Sequence, residues 1–270
     1  MQTTLLIPCY NEAEGIPQLC ERLRPLIQYL GGSDQLELLF VDDGSTDGTA
    51  GVIRRDASDL PFRIVAHEHN RGLGAALKTG FAAMNGEEVV TLDSDCTYDP
   101  MQTIELLKVL RSGYDVVTGS PYHPRGEVVG VDGWRLLLSK TLSRMYWVIL
   151  PQRLYTYTSC FRAYRREIIP RLTARHDGFL AVTQLLVSAI LQRARVAEIP
   201  ACLTSRRFGR SKLRVIRVIF SHMWYLLSVA WLRVTGSSFQ QLPSSNETSP
   251  TNTFTIESTY RHERHNAPAK

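Results

Sequence analysis

Two aspartates one residue apart, Asp93-Ser94-Asp95, follow directly on the apolar run Val89–Leu92. At a strand terminus a bend can turn both carboxylates towards one point, as hard divalent cations such as Mg²⁺ or Mn²⁺ require of oxygen ligands. Two protein ligands leave coordination positions that suit the oxygens of a diphosphate. A metal held there would neutralise charge growing on a departing nucleoside diphosphate. Such pairs also merely cap turns, so the reading needs other polar strand ends. Two are present: Pro8-Cys9-Tyr10-Asn11-Glu12 after Thr4–Cys9, and Val41-Asp42-Asp43-Gly44-Ser45-Thr46-Asp47-Gly48-Thr49 after Leu36–Val41. A carboxylate in the second could accept hydrogen bonds from a ribose or a base, or only shape a turn.

The elements that position these residues follow from apolar patterning. Short β-branched or aromatic runs recur at Thr4–Cys9, Leu36–Val41, Phe62–Ala66, Val89–Leu92 and Val116–Thr118, with helix-length segments at 12–30, 47–58, 71–84 and 100–112 between them. That is βαβ alternation, an α/β fold with a mainly parallel sheet, in which ligands gather beyond the carboxyl ends of the strands. Ser45, Thr46 and Asp47 offer N-caps for the second helix. From residue 134 onward the pattern predicts helices. Arg71-Gly72-Leu73-Gly74 reads as a tight turn and helix start, since it lacks both the full G-x-G-x-x-G and a P-loop ending. His67 and His69 form a lone H-x-H without a companion Cys/His cluster, and a strand-end pair is the simpler account.

Charge is divided along the chain. Residues 1–100 carry 7 Lys/Arg against 16 Asp/Glu, net −9, and residues 101–270 carry 24 against 10, net +14. The acidic half suits a divalent cation; the basic half suits phosphate groups or an anionic membrane surface rather than nucleic acid. Five cysteines without a CxxC pair argue for a reducing cytoplasm, and no basic leader with a long apolar run marks a secretory signal. Val218–Leu232 is strongly apolar but only 15 residues long, short of the roughly 20 needed to span a bilayer. It is expected to lie on a membrane or pack on the domain as part of a 216–235 helix. Its upstream flank, Arg206, Arg207, Arg210, Lys212, Arg214 and Arg217, would attract anionic headgroups. The polar 236–270 tail lacks the apolar residues to build a core and is expected to be disordered.

Taken in order, the strand-end motifs, Arg71-Gly72-Leu73-Gly74, Asp93-Ser94-Asp95 and the run from Arg206 to Lys212 resemble the family-2 glycosyltransferases, most of all the dolichol-phosphate mannosyltransferase-like branch. The resemblance covers about residues 3–215. It implies a GT-A catalytic domain over 1–215, a nucleotide-diphosphate sugar donor carrying mannose or glucose, inversion at the anomeric carbon, and a polyprenyl-phosphate acceptor. It further implies that Pro8, Tyr10, Glu12, Val41 and Asp43 hold the nucleoside. Asp93 and Asp95 would hold the metal and its diphosphate, with Ser94 among the residues that bind the nucleotide sugar, and Arg206 and Lys212 would close over the phosphates. Arg135 and Ser139, one helical turn apart and so on one face, match positions that bind the acceptor phosphate and would act with Asp95 in catalysis.

Four departures accompany it. The branch usually reads Gly-Ser-Arg-Tyr where this chain has Gly119-Ser120-Pro121-Tyr122, leaving Arg125 or His123 to supply the cation. A polar residue such as Gln is common near Thr97, Glu is common at Gln184, and Gly at Cys160. A phosphate monoester has its second pKa near 6 and is mostly a dianion at neutral pH, so such an acceptor needs no protein base. A hydroxyl acceptor would need one, and the sequence offers no clear candidate. Transfer to a sugar or lipid hydroxyl, and a catalytically silent membrane adaptor on the same scaffold, are the competing readings. The intact Asp93/Asp95 pair argues against the adaptor.

Overall fold

The computed structural model describes residues 2–32, 35–206 and 215–235, together with the backbone of 254–258. The five apolar runs form β1 (Thr3–Cys9), β2 (Leu36–Asp42), β3 (Phe62–His67), β4 (Glu88–Thr91) and β5 (Val116–Ser120). Between them lie α1 (Ile16–Tyr29), α2 (Thr49–Asp56), α3 (Leu73–Ala83) and α4 (Thr103–Arg111). The chain continues through β6 (Glu127–Val129), α5 (Gly133–Ile149), β7 (Arg162–Arg165), α6 (Leu180–Leu191), β8 (Val196–Pro200), β9 (Cys202–Thr204), α7 (Val215–Thr235) and β10 (Phe254–Ser258).

Eight strands make one sheet in the order β10-β3-β2-β1-β4-β7-β5-β8. Its neighbours are parallel except where β7 and β10 enter antiparallel. β1 and β2 are buried at every position, which explains their nearly unbroken apolar runs: helices cover both faces. One core cluster joins the sheet to α1, α2 and α4. The other joins it to α3, α5, α6 and α7.

The expectation of helices alone after residue 134 is corrected by β7, β8 and β9. β7 reads Arg-Ala-Tyr-Arg, with no apolar run to announce it. Its place between β4 and β5 is bought by burying Arg162 completely and giving its guanidinium oxygen partners, the carbonyls of Ser159 (2.7 Å) and Val182 (2.8 Å) among them. The second helix is capped differently from expectation: Gly48 is its N-cap, at φ +83°, and Asp47 instead reaches forward to the Thr49 amide at 3.0 Å. Within the stretch expected to be disordered, Phe254–Ser258 pairs with β3; the rest of 236–270 lies outside the described residues.

The last helix is also longer than the apolar run suggested. α7 has 21 residues, and its 218–235 window, at mean hydropathy 1.2, is long and apolar enough by length and composition to cross a membrane. One face nevertheless packs on the domain through Tyr225, Leu226, Val229 and Leu232.

Candidate active site

The carboxyl ends of β1, β2 and β4 converge as the alternation predicts, and their loops interlock. Asn11, at φ +51°, donates its amide to Ser45 Oγ (2.8 Å) and accepts the Thr46 amide on Oδ1 (2.7 Å). The Glu12 amide donates to Thr49 Oγ1 at 2.9 Å. After β4, Asp95 Oδ1 accepts the amide and hydroxyl of Thr97 (3.1 and 2.7 Å), and the tight turn is completed by Cys96 at φ +58°.

These loops enclose a cavity of about 610 Å³ whose lining includes Pro8, Tyr10, Glu12, Asp93, Ser94 and Asp95. Asp43 and Arg206 line it as well. Arg206 donates from Nε to Asp95 Oδ2 and from Nη2 to Glu12 Oε1, both at 3.0 Å, tying the end of β1 to the end of β4. Burial, and next the neighbouring Asp95, push the Asp93 carboxyl up to about 7, with the Arg206 charge opposing them. Five carboxylates line the cavity (Glu12, Asp43, Asp93, Asp95, Asp177) against two guanidinium groups (Arg71, Arg206). Asp43 and Asp177 are partnered within the chain, the latter by Lys78; it is the two neighbouring carboxylates of Asp93 and Asp95 whose hard oxygens fit a divalent cation.

Other expected residues fall differently. Val41 does not reach the cavity, because its side chain is wholly buried in the core. Asp43 is 3% exposed and spends both oxygens on the chain itself. Oδ1 lies 2.6 Å from His67 Nδ1 and accepts the Arg71 amide at 2.9 Å, while Oδ2 accepts Asn70 Nδ2 at 3.0 Å and the Gly72 amide at 2.7 Å. The His67 side of the H-x-H pair is thus structural, its other nitrogen 2.9 Å from Thr79 Oγ1. Lys212, with Arg207, Arg210 and Arg214, lies outside the described residues.

Arg135 and Ser139 are separated by the structure. Ser139 lines a second cavity of about 190 Å³, where its hydroxyl is 2.9 Å from Thr158 Oγ1. Arg135 remains half-exposed, 3.3 Å from Asp132 and over the Trp134 ring. Neither His123 nor Arg125 lines either cavity; His123 packs edge-on against Tyr155. Thr97, Pro121 and Cys160 do line the smaller one.

The sequence reading missed the loop His176–Phe179, which also lines the larger cavity. Gln184 Oε1 accepts the His176 amide at 2.9 Å, and the Asp177 carbonyl accepts the Ala75 amide at 3.1 Å. A Cβ on Gly72, at φ +99°, would come within 2.6 Å of that carbonyl, so glycine permits the approach. That glycine was the available signal; it marks where another backbone comes close. Val218 and Ser221 show that α7 also contributes to the wall.

Residues 4–173 match the family model described as glycosyl transferase family 2. The chain is 33% identical over 220 residues to polyprenol monophosphomannose synthase of Mycolicibacterium smegmatis, covering 78% of this chain and 81% of that one. It is 27% identical over 228 residues to dolichol-phosphate mannosyltransferase of Pyrococcus furiosus, covering 84% of this chain and 63% of that longer relative. Against undecaprenyl-phosphate 4-deoxy-4-formamido-L-arabinose transferase of Klebsiella pneumoniae it is 31% identical over 220 residues, covering 81% and 64%. Among solved structures, glucosyl-3-phosphoglycerate synthase of Mycobacterium tuberculosis, in complex with Mn²⁺, UDP and phosphoglyceric acid, superposes with a TM-score of 0.65 at 21% identity. That match covers 95% of this chain and 86% of that one, and it establishes the fold as GT-A.

Proposed function

The chain belongs to glycosyl transferase family 2, and we propose that it moves a hexose, mannose or glucose, from a nucleotide-diphosphate donor to a polyprenyl phosphate at a membrane surface. The observation that carries this reading is the pair Asp93 and Asp95 on the wall of one cavity, with Arg206 reaching across to Asp95 and Glu12. The relatives named polyprenol monophosphomannose synthase and dolichol-phosphate mannosyltransferase support the acceptor class.

Asp93 and Asp95 would hold a Mg²⁺ or Mn²⁺ ion, which when bound would stabilise negative charge on the leaving diphosphate. The chain's own residues do the remaining work. Pro8 and Tyr10 wall the nucleoside, and Ser94 lies between the two carboxylates. Asp43 acts through the loop it organises, fixing the Arg71 and Gly72 backbone at the cavity edge. Arg206 has a planar fork suited to diphosphate oxygens and would exchange its carboxylate partners for them on donor binding. Lys212 is assigned the same task. A lipid phosphate dianion attacks without a protein base, and a single in-line displacement inverts the anomeric carbon. Arg135 would meet that phosphate from the outer side of α5.

The membrane surface is supported by α7. Phe220, Trp224, Leu227 and Trp231 recur at helical spacing on the face turned from the core, each at least 63% exposed. Such a stripe beside a basic run suits an interfacial helix. The five cysteines, none of them in a disulfide, favour the cytoplasmic face.

The test supplies GDP-mannose or UDP-glucose with Mn²⁺ and either polyprenyl phosphate or an oligosaccharide. Labelled lipid phosphate is expected; label on the oligosaccharide alone would refute the acceptor. In vesicle sedimentation, Trp224→Ser with Trp231→Ser should reduce binding to anionic vesicles by tenfold or more while leaving nucleotide affinity unchanged. Undiminished sedimentation would refute the membrane-facing role of α7.

A further inference from the structure

α7 is built the wrong way round for water. Phe220, Trp224, Leu227 and Trp231 stand outside, while His222 is fully buried and Tyr225 is 5% exposed on the side packed against the domain. His222 Nδ1 lies 3.0 Å from the Tyr146 hydroxyl of α5, with the two rings edge-on at 5.9 Å, and Tyr225 packs 6.4 Å from the same Tyr146 ring. Two polar atoms of this cluster, His222 Nε2 and the Tyr225 hydroxyl, find no hydrogen-bond partner among the described residues. Helix faces that hold a domain together are normally apolar or fully satisfied. This one is neither, so it is held less firmly than Leu226, Val229 and Leu232 alone would hold it.

The imidazole also sets a condition on that packing. From α5 it faces Tyr146, from α7 itself Tyr225, and from the loop before α6 His176, while α6 has no ionisable residue at all. Burial keeps both tyrosine hydroxyls protonated. None of these groups is an acid that could answer a charge on His222, and a charged His176 would repel it. Burial first, and then His176, lower the His222 imidazole to about 4. Exposed by release of α7, it would regain the ordinary value of about 6.5. The docked helix is therefore fully favoured above about pH 6.5, and it loses about a factor of ten against the released one for each pH unit from there down to 4. Val218 and Ser221, on the turn that carries His222, line the larger cavity, so loosening α7 opens that wall.

We propose that α7 is an acid-released wall of the larger cavity, latched at neutral pH by the uncharged imidazole of His222 against Tyr146. The proposal goes beyond glycosyl transfer and does not depend on it, because the latch lies within the chain whatever the cavity binds.

Hydrogen exchange on the full chain without ligand tests this at pH 7 and pH 5. Each amide's rate is corrected for its intrinsic pH dependence, and α1, in the core cluster on the other face of the sheet, serves as internal reference. In wild type the protection of the α7 amides should fall roughly tenfold to thirtyfold relative to α1 on going to pH 5. His222→Gln still offers Tyr146 a neutral partner but takes no proton. Its α7 protection should stay within about threefold of wild type at pH 7 and should not fall at pH 5. If glutamine disturbs the fold, His222→Phe with Tyr146→Phe replaces both partners by apolar rings and carries the same expectation. A fall of equal size in the variant, or none in wild type, overturns the latch. A fall shared equally by α1 and α7 is global acid unfolding and overturns it as well. With no nucleotide in the experiment, failure here leaves the transferase reading standing, and failure of donor binding leaves the latch.

Discussion

The two ends of the central sheet bury the same kind of residue to different purposes. At the amino ends, Glu37 and Glu88 are 6% and 2% exposed, and both are fully answered from within the chain. Glu37 meets Arg63, Thr4 Oγ1 at 2.7 Å and the Asn85 amide at 3.0 Å; Glu88 meets Arg111 and Thr3 Oγ1 at 2.7 Å. At the carboxyl ends, Glu12, Asp93 and Asp95 gather in a cavity where Arg206 bridges two of them and burial drives Asp93 up to about 7. A buried carboxylate is therefore not by itself a functional signal. What separates the two ends is that Glu37 and Glu88 each have an arginine of their own, whereas Glu12 and Asp95 share Arg206 beside Asp93, a shortfall that we propose a bound cation makes good.

Removing a carboxylate from the carboxyl ends should have the largest effect. Asp95→Ala should lower turnover by about a thousandfold or more and abolish Mn²⁺-dependent nucleotide binding, if metal and diphosphate are held together there as proposed. Its melting temperature should stay within a few degrees, because the loss relieves like-charge crowding. Metal-dependent binding that survives in Asp95→Ala ends the metal assignment.

The reverse experiment belongs to the other end. Glu37→Ala strands Arg63, the Thr4 hydroxyl and the Asn85 amide, and removing one member of a buried ion pair costs roughly 3–5 kcal/mol. Urea unfolding should report that loss, while the residual folded protein binds nucleotide with wild-type affinity. A stable Glu37→Ala that fails to bind donor would erase the distinction between the ends.

Asp43 sits on the boundary. It lines the cavity, yet its oxygens serve His67, Asn70 and two backbone amides. Asp43→Asn keeps the shape but turns one acceptor oxygen into a donor, at about 1–3 kcal/mol for a buried group left unsatisfied. Stability and donor affinity should therefore fall together. Loss of affinity at unchanged stability would show direct contact with the nucleotide instead.

The sequence made the five strands and the chemistry at their ends legible because parallel strands buried on both faces are continuous apolar runs, and the motifs begin where those runs stop. Four features escaped it for separate physical reasons. β7 carries arginine at both ends, so only its pairing with β4 and β5 makes it a strand. The service of Asp43 to the loop after β3 depends on contacts 24 to 29 residues away. The His176–Phe179 loop is held at the cavity wall through its backbone and through Gln184, which no side-chain motif records. Arg135 and Ser139 share a helix face by spacing, yet only the shorter side chain turns into a cavity, because Asp132 and Trp134 hold the longer one outside.

That last separation yields the smallest and most discriminating prediction. The Arg135–Asp132 pair has side chains 48% and 62% exposed, and exposed pairs contribute about 0–1 kcal/mol, so breaking it barely changes stability. If Arg135 receives the lipid phosphate, it must leave Asp132 to do so, and the two residues compete for one guanidinium. Arg135→Ala should then raise the KM for polyprenyl phosphate about threefold to tenfold, less than a buried phosphate ligand would, with the donor KM unmoved. Asp132→Ala should lower the acceptor KM by about twofold to threefold, because the competing carboxylate is gone. Added salt should shrink both effects, since the charges face solvent. A structural role for the pair predicts the same direction for both variants; a recruiting role predicts opposite directions. Acceptor kinetics that worsen in Asp132→Ala as they do in Arg135→Ala would remove Arg135 from the acceptor site and leave the phosphate to be met by residues elsewhere on the rim.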